Sequence, residues 1–151
     1  MSFKQKNITV TLVNFSLILG FYLVRVFQLV QNENFDETSV FRLWGVVVML
    51  AVFVTIAATI LTHIVSTIIE AVKTGEKDPE IEDFEDERDQ LIDLKGTKIT
   101  YTFSSLGAVL AMLTFVFGQP PLVMFALLIF FGVLAQIVGD TLRLVLYRRG
   151  F

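Results

Sequence analysis

Five ionisable residues interrupt otherwise apolar stretches of this chain. They are Arg25, His63, Glu70, Asp140 and Arg143. An ionisable side chain within a membrane helix is costly and usually faces protein or water, so each position is a functional-site hypothesis. His63 and Glu70 are two helical turns apart, and Asp140 is expected at a similar depth on another helix. Because imidazole titrates near neutral pH, these three residues could carry protons or cations in a small transporter or a proton-coupled membrane subunit.

A row of hydroxyl residues around His63 has a simpler interpretation. Thr and Ser recur here every three or four residues, and hydroxyls at such spacing commonly hydrogen-bond neighbouring membrane helices. The row consists of Thr55, Thr59, Thr62, Ser66 and Thr67. One His and two carboxylates are few for a proton pathway, so helix packing is the favoured interpretation of this face.

Local interactions can also explain the two arginines. Arg25 lies near the end of its apolar run, so its guanidinium could extend to the interface. It could instead pair with an acidic residue of the next connector: Glu33, Asp36 or Glu37. Asp140 and Arg143 are three residues apart, which is the spacing of a pair on one helix. Asp140 could alternatively meet Lys73 or Arg25 across the bundle.

The composition excludes several functional classes. The 151 residues are 54% hydrophobic with a mean hydropathy of +0.70, which is too apolar for an ordinary soluble domain. The chain has no cysteine and a single histidine, so thiolate chemistry and sites built from several His ligands are excluded. No phosphate-binding loop or nucleophile motif is present. A pI near 5.1 argues against direct nucleic-acid binding. We therefore expect neither enzyme activity nor a cofactor.

Four apolar runs are long enough to cross the ~30 Å hydrocarbon core of a bilayer. The sequence predicts an all-α integral membrane protein with four transmembrane helices near 8–30, 43–69, 99–117 and 122–146. Two prolines in the turn at 118–121 predict a tight antiparallel hairpin of the last two helices. Lys and Arg concentrate before the first run, between the second and third, and after the fourth. We therefore expect a multi-pass protein of the inner (cytoplasmic) membrane with both termini in the cytoplasm.

The segment 76–98 lies on the expected cytoplasmic side and concentrates negative charge. It holds ten of the fifteen acidic residues and four basic ones, a formal charge of −6. Asp78 before Pro79 predicts the start of a helix, which is expected to continue through Gly96 into the third span. The candidate partner-binding residues of this helix are Phe84, Asp86, Glu87, Arg88, Asp89, Leu91 and Ile92.

Three carboxylates of this segment share one helical face. They are Asp86, Asp89 and Asp93. Oxygen ligands suit Ca²⁺ or Mg²⁺, but the spacing of a calcium-binding loop is missing, so we expect no metal site. A solvated acidic face is the simplest interpretation. The functional alternative is a docking surface for a basic cytoplasmic protein, which the clustered charge would steer.

Small residues recur in the last two predicted helices, at spacings that let helix backbones approach closely. They are Ser104, Gly107, Ala108 and Ala111 in the third helix and Gly132, Ala135 and Gly139 in the fourth. These residues could seal the hairpin within one chain or form the seam of a homodimer.

The run Asp86-Glu87-Arg88-Asp89 is followed by Leu91, Ile92, Lys95 and a polar-to-apolar entry at Tyr101. This pattern resembles a family of small four-span prokaryotic membrane proteins of unknown function, which share a D-E-R-D segment before the third transmembrane helix. The resemblance implies a companion of small helix-turn-helix regulators, and hence a regulatory partner at the membrane. The acidic run at 76–85 departs from that pattern.

The expected function is therefore a non-enzymatic interaction or regulatory protein in the lipid bilayer. We expect a homo-oligomer that docks a basic cytoplasmic partner through the segment 76–98. The alternatives are the small transporter described above and an accessory subunit of a larger membrane complex.

Overall fold

The computed structural model describes residues 3–74 and 87–149, and every long element within these ranges is an α-helix. The helices are α1 (Phe3–Gln31), α2 (Glu37–Thr74), α3 (Glu87–Val116) and α4 (Pro121–Arg149). The side chains of Phe3, Ser66, Glu70, Lys73 and Thr74 are not described. The predicted all-α class with four helices is confirmed. The expected helix start at Asp78 and the candidate partner residues Phe84 and Asp86 lie outside the described residues.

Two short connectors turn the chain back on itself. Between α1 and α2, Asp36 caps the new helix: its Oδ1 accepts the Ser39 N–H at 2.7 Å, and its carbonyl accepts the Val40 N–H at 3.0 Å. Between α3 and α4, Gly118 has a φ of 84°, where a side chain would be strained. Pro121 is the first residue of α4, where its missing N–H costs no helical hydrogen bond. Each connector therefore closes a helical hairpin.

All four helices are long and apolar enough, by length and composition, to cross a membrane. The shortest have 29 residues. At 1.5 Å per residue they are about 44 Å long, which exceeds the ~30 Å hydrocarbon core. Large apolar side chains are exposed along them, for example Phe53 on α2 and Phe115 on α3. The chain is therefore a candidate multi-pass membrane protein.

Helix α4 is central to the packing. It packs along α3 and α1 and also touches α2, while α1 packs along α2. Within the described ranges, α3 contacts α4 alone and does not meet α1 or α2. The buried core cluster consists of Ile18, Tyr22, Leu43, Val47 and Val133. The Tyr22 hydroxyl donates a hydrogen bond to the Ala126 carbonyl at 2.6 Å, which ties α1 to α4.

The alternating helix directions place the start of α1 and the end of α4 at the same end of the molecule, which we call the terminal end. The start of α3 lies there too, because Asp89 contacts Tyr147. The opposite end, with the connectors 32–36 and 117–120, is the turn end. Helix α3 begins well before the predicted third span (99–117) and is continuous through Gly96, which confirms the expected continuation. Residues 87–98 form the α3 extension.

Candidate functional site

The Arg143 guanidinium joins α4 to α3 at the terminal end. Its Nε, Nη1 and Nη2 donate to Asp93 Oδ1, Asp140 Oδ1 and Thr97 Oγ1, each at 2.8 Å. The Arg143 and Asp140 side chains are 11% and 4% exposed, whereas Asp93 is 72% exposed. Charge-assisted hydrogen bonds are stronger than neutral ones, and this shielded pair is screened little by salt. Arg143 thus holds a buried carboxylate on its own helix and two oxygen acceptors on the neighbouring helix.

Two glycines allow α3 and α4 to approach closely enough for this contact. A Cβ at Gly96 would collide with the Arg143 side chain, and a Cβ at Gly139 would collide with the Thr100 hydroxyl. That hydroxyl donates to the Gly96 carbonyl at 3.0 Å, so Thr100 is fixed in the seam. Glycine at these positions therefore serves close helix packing.

The Asp140 carboxylate is buried and held by residues of its own helix. Besides Arg143, the Nε2 of Gln136 lies 3.3 Å from Asp140 Oδ1 and 3.4 Å from Oδ2. Of the partners considered from the sequence, the local partner Arg143 is the one that the structure shows. Both Asp140 oxygens thus have a partner on α4, and the positive charge of Arg143 lies beside them.

A second contact between α3 and α4 lies about one turn nearer the terminal end. The Tyr147 hydroxyl donates to Asp89 Oδ1 at 2.8 Å, and Arg88 Nη2 donates to the Tyr147 carbonyl at 3.4 Å. Asp89 and Asp93 are four residues apart, so they share a helix face, and both bind α4. We call the contacts of Arg143 and Tyr147 with Asp89, Asp93 and Thr97 the α3–α4 clamp.

The structure separates the candidate partner-binding residues onto two sides of the α3 extension. Ile92 is 1% exposed, and α3 contacts only α4 within the described ranges, so Ile92 is a packing residue and cannot reach a partner in this conformation. Asp89 is engaged by α4. Glu87 is exposed, as is Leu91. Leu94 is 65% exposed but was not identified from the sequence, although its spacing from Leu91 places it on the same face.

Three members of the hydroxyl row on α2 are hydrogen-bonded within their own helix. Thr59, Thr62 and Thr67 each donate to the carbonyl four residues earlier, at 2.9, 2.7 and 3.0 Å. His63 is exposed, and the Glu70 side chain lies outside the described part of the chain. The groups that hold the Asp140 carboxylate are Gln136 and Arg143. The described contacts therefore do not assemble His63 and Asp140 into one site.

Arg25 interacts with residues of its own helix near the turn end. Its Nη1 donates to Gln28 Oε1 at 3.2 Å, and its guanidinium carbon lies 5.5 Å from the centre of the Phe21 ring. The second distance is that of a cation–π contact. Of the connector carboxylates considered as partners, Asp36 is used to cap α2. The described contacts place Arg25 on the surface of α1, where it faces neither Asp140 nor the terminal end.

Within residues 3–74 and 87–149, no group of three or more His, Asp or Glu residues is close enough to hold a metal ion. The ionisable groups of the α3–α4 clamp are paired with one another and connect two helices. No protein family, curated protein or solved structure matches this chain.

Proposed function

We propose that this protein is a non-enzymatic membrane interaction or regulatory protein that docks a basic protein partner in the cytoplasm through the acidic segment 76–98, whose last part is the α3 extension. The observation that supports the proposal is the α3–α4 clamp. The clamp holds a charged, exposed helix against α4 at the point where α3 changes from polar to apolar residues.

The α3 extension continues the apolar part of α3 without a break and is held against α4. Two contacts with α4 fix it, from Tyr147 to Asp89 and from Arg143 to Asp93, each at 2.8 Å. Ile92 packs in the same interface. A helix held in this way presents one constant face to a partner, and a displacement of the helix would be passed to α4.

The outward face of the extension combines leucines with charges. Glu87, Leu91, Leu94 and Lys98 follow the spacing of one helix face, and all four are exposed. Leu91 and Leu94 are 49% and 65% exposed. Exposed apolar residues bordered by charges are typical of a surface that contacts another protein.

Charge favours a basic partner. The segment 76–98 carries ten acidic and four basic residues. Negative charge at this density would accelerate association with a positive surface, and salt would weaken the attraction. The same charge is repelled by anionic lipid, which keeps the segment available to proteins. The distribution of Lys and Arg supports placing it in the cytoplasm.

Site-directed photo-crosslinking in native membranes tests the proposal. A photo-reactive residue would replace Leu94 in the full-length chain. We expect a discrete protein adduct that weakens when salt rises from about 0.1 M to about 1 M, because the Debye length then falls from ~10 Å to ~3 Å. The adduct should also weaken in a variant that carries Glu80→Gln, Glu82→Gln and Glu85→Gln.

Two control positions make the result specific. Val116 is 75% exposed but lies at the turn end, and Ile92 is buried within the extension itself. Neither position should give the adduct obtained from Leu94. The proposal is wrong if Val116 gives the same adduct, or if the adduct from Leu94 is insensitive both to salt and to the loss of the three acidic residues.

The transporter and accessory-subunit alternatives make different predictions. A transporter would show proton or cation flux in liposomes that is lost in Asp140→Asn or Glu70→Gln. The hydrogen bonds around Asp140 and along α2 do not favour it. An accessory subunit would copurify with a larger membrane complex at fixed stoichiometry, and a homo-oligomer would copurify with a second, differently tagged copy of this chain.

A further inference from the structure

A pocket of about 390 Å³ opens between α1 and α2 at the turn end, far from the α3–α4 clamp. Its polar lining consists of Arg25, Gln28, Asn32, Ser39 and Arg42. The remaining lining is apolar and includes Phe21 and Val46. Two guanidinium groups and no carboxylate line this pocket, so it has the chemistry of an anion site. Its volume lies within the range of small-molecule sites.

Arg25 is oriented by the wall of the pocket itself. Its hydrogen-bond partner Gln28 and its stacking partner Phe21 are both lining residues. A guanidinium has five N–H donors, and the bond to Gln28 uses the Nη1 end of the group. The remaining donors can bind an oxyanion. Because Phe21 and Gln28 already hold the Arg25 side chain in place, less side-chain entropy is lost when the anion binds.

Arg42 supplies the second positive charge from α2. The charge of Arg42 also acts on Asp36, the residue that caps α2. Asp36 does not line the pocket, and its Oδ1 already accepts the Ser39 N–H at 2.7 Å. An anion that enters between Arg25 and Arg42 therefore need not displace the Asp36 cap.

A shallow, open apolar groove, lined by one face of α2, continues from this pocket. The groove has a volume of about 450 Å³ and shares Arg42 and Val46 with the pocket. It then runs past Gly45 and Met49 to Phe53. The rise from residue 42 to residue 53 is about 16 Å at 1.5 Å per residue, which is about half of the ~30 Å hydrocarbon core. The length of the groove along α2 thus matches the thickness of one lipid leaflet.

We propose that this surface is a binding site for an anionic phospholipid. The phosphodiester lies between the Arg25 and Arg42 guanidinium groups, and one acyl chain follows the groove past Gly45 to Phe53. A free phosphate would use only the polar pocket, and an uncharged lipid would use only the groove. The combination of the two in one continuous surface selects a molecule that has both parts.

Gly45 provides a specific way to block the acyl part of the site. A Cβ at Gly45 would meet no atom within 4 Å, so a larger side chain there enters the groove without disturbing the protein. Gly20 on α1 has the same open surroundings but lines neither the pocket nor the groove. Gly45→Leu and Gly20→Leu are therefore a matched pair, since both replace glycine by a good helix former.

The test measures binding to the full-length protein in detergent by native mass spectrometry, with three probes: phosphatidylglycerol, diacylglycerol and inorganic phosphate. For the wild type, we expect phosphatidylglycerol to bind at least tenfold more tightly than either other probe. Arg25→Gln and Arg42→Gln should each weaken phosphatidylglycerol binding by about tenfold, the effect of losing a charge-assisted contact. Gly45→Leu should weaken it severalfold, while Gly20→Leu leaves it unchanged.

The comparison of probes on the wild type keeps the proposal testable even if a variant fails to fold. Equal binding of diacylglycerol and phosphatidylglycerol would overturn it, since the arginines would then contribute nothing. If inorganic phosphate bound as tightly as phosphatidylglycerol, the groove would contribute nothing to binding and the proposal would be wrong. In folded variants, unchanged binding after Arg42→Gln, or equal losses in Gly45→Leu and Gly20→Leu, would also reject the site.

Discussion

The hairpin of α3 and α4 and the hairpin of α1 and α2 use glycine in different ways. In the first, a Cβ added at Gly107 would collide with the Phe131 side chain, and one added at Gly139 would collide with Thr100. In the second, a Cβ added at Gly20 or Gly45 would meet nothing within 4 Å. The α3–α4 pair is therefore close-packed at Gly107 and Gly139, whereas Gly132 of α4 and the two glycines of the α1–α2 pair lie on open surface.

The two hairpins also differ in whether their buried polar atoms have hydrogen-bond partners. In the α3–α4 hairpin, the oxygens of Asp140 and the hydroxyl of Thr100 have hydrogen-bond partners. In the α1–α2 hairpin, Asn14 Nδ2 and Thr55 Oγ1 are buried without one among the described residues. The buried polar atoms named in the α3–α4 hairpin are thus hydrogen-bonded, whereas the two named in the α1–α2 hairpin are not.

The largest expected effect comes from removing the centre of the α3–α4 clamp. Arg143→Met leaves the Asp140 carboxylate buried without its cation. Such a loss typically costs about 3–5 kcal/mol of unfolding free energy. The measurement is unfolding by sodium dodecyl sulfate in mixed micelles, followed by far-ultraviolet circular dichroism.

A double variant controls for this interpretation. Arg143→Met combined with Asp140→Leu removes both charges, so it should recover part of the lost stability. If the double variant is as unstable as the sum of the two single variants, the pair is not coupled. The contrast between the two hairpins would then rest on glycine alone.

The glycine comparison predicts the next largest effect. Gly107→Ala forces a Cβ against the stem of Phe131 and should destabilise the protein by about 1–3 kcal/mol in the same assay. Gly20→Ala should be neutral or stabilise by up to ~1 kcal/mol, because alanine favours helix and its Cβ meets open space. Equal effects of the two substitutions would show that the α3–α4 seam is not closely packed.

Replacing a buried hydroxyl should change stability by a smaller amount, and in opposite directions in the two hairpins. Thr55→Val removes a buried hydroxyl oxygen that has no described partner, so it should be neutral or stabilise by up to ~1 kcal/mol. The same change at Thr100 removes the hydrogen bond to the Gly96 carbonyl and should destabilise by about 1 kcal/mol. A stabilised Thr100→Val protein would contradict the difference between the hairpins.

The smallest expected effect is a pH dependence at the α1–α2 connector. The hydrogen bond from the Ser39 N–H holds the pKa of Asp36 below its ordinary value of 3.8. A carboxyl group with a lowered pKa stabilises the folded protein above that ordinary value, and the contribution is lost as the pH falls through the folded pKa. Asp36→Asn keeps the cap without the charge and should flatten this part of the acid-unfolding curve. An unchanged acid-unfolding curve would show that Asp36 is not the cause of this pH dependence.

The sequence predicts the helices well because their signals are local. Runs of apolar residues mark the four helices, and the residues at 118–121 mark the tight turn between α3 and α4. The position of Gly107 in a small-residue pattern also indicates a seam, and the structure places it against α4.

The clamp could not be predicted in the same way. Asp93 and Asp89 are 50 and 58 residues from their partners Arg143 and Tyr147, so nothing local links them. Leu91 and Ile92 are chain neighbours of similar hydrophobicity, yet only Ile92 is buried. Which of two such residues turns inward depends on the rotation of α3 about its axis, and close approach at the glycines sets that rotation.

One consequence follows from the way that α3 joins the rest of the protein. Since α4 is its sole neighbour among the described helices, the described contacts connect the α3 extension to α1 only through α4, whose Ala126 carbonyl accepts a hydrogen bond from the Tyr22 hydroxyl. Helix α4 is thus the shared packing partner of α3 and α1. Among the described helices, a displacement of the α3 extension therefore reaches α1 only if α4 moves with it.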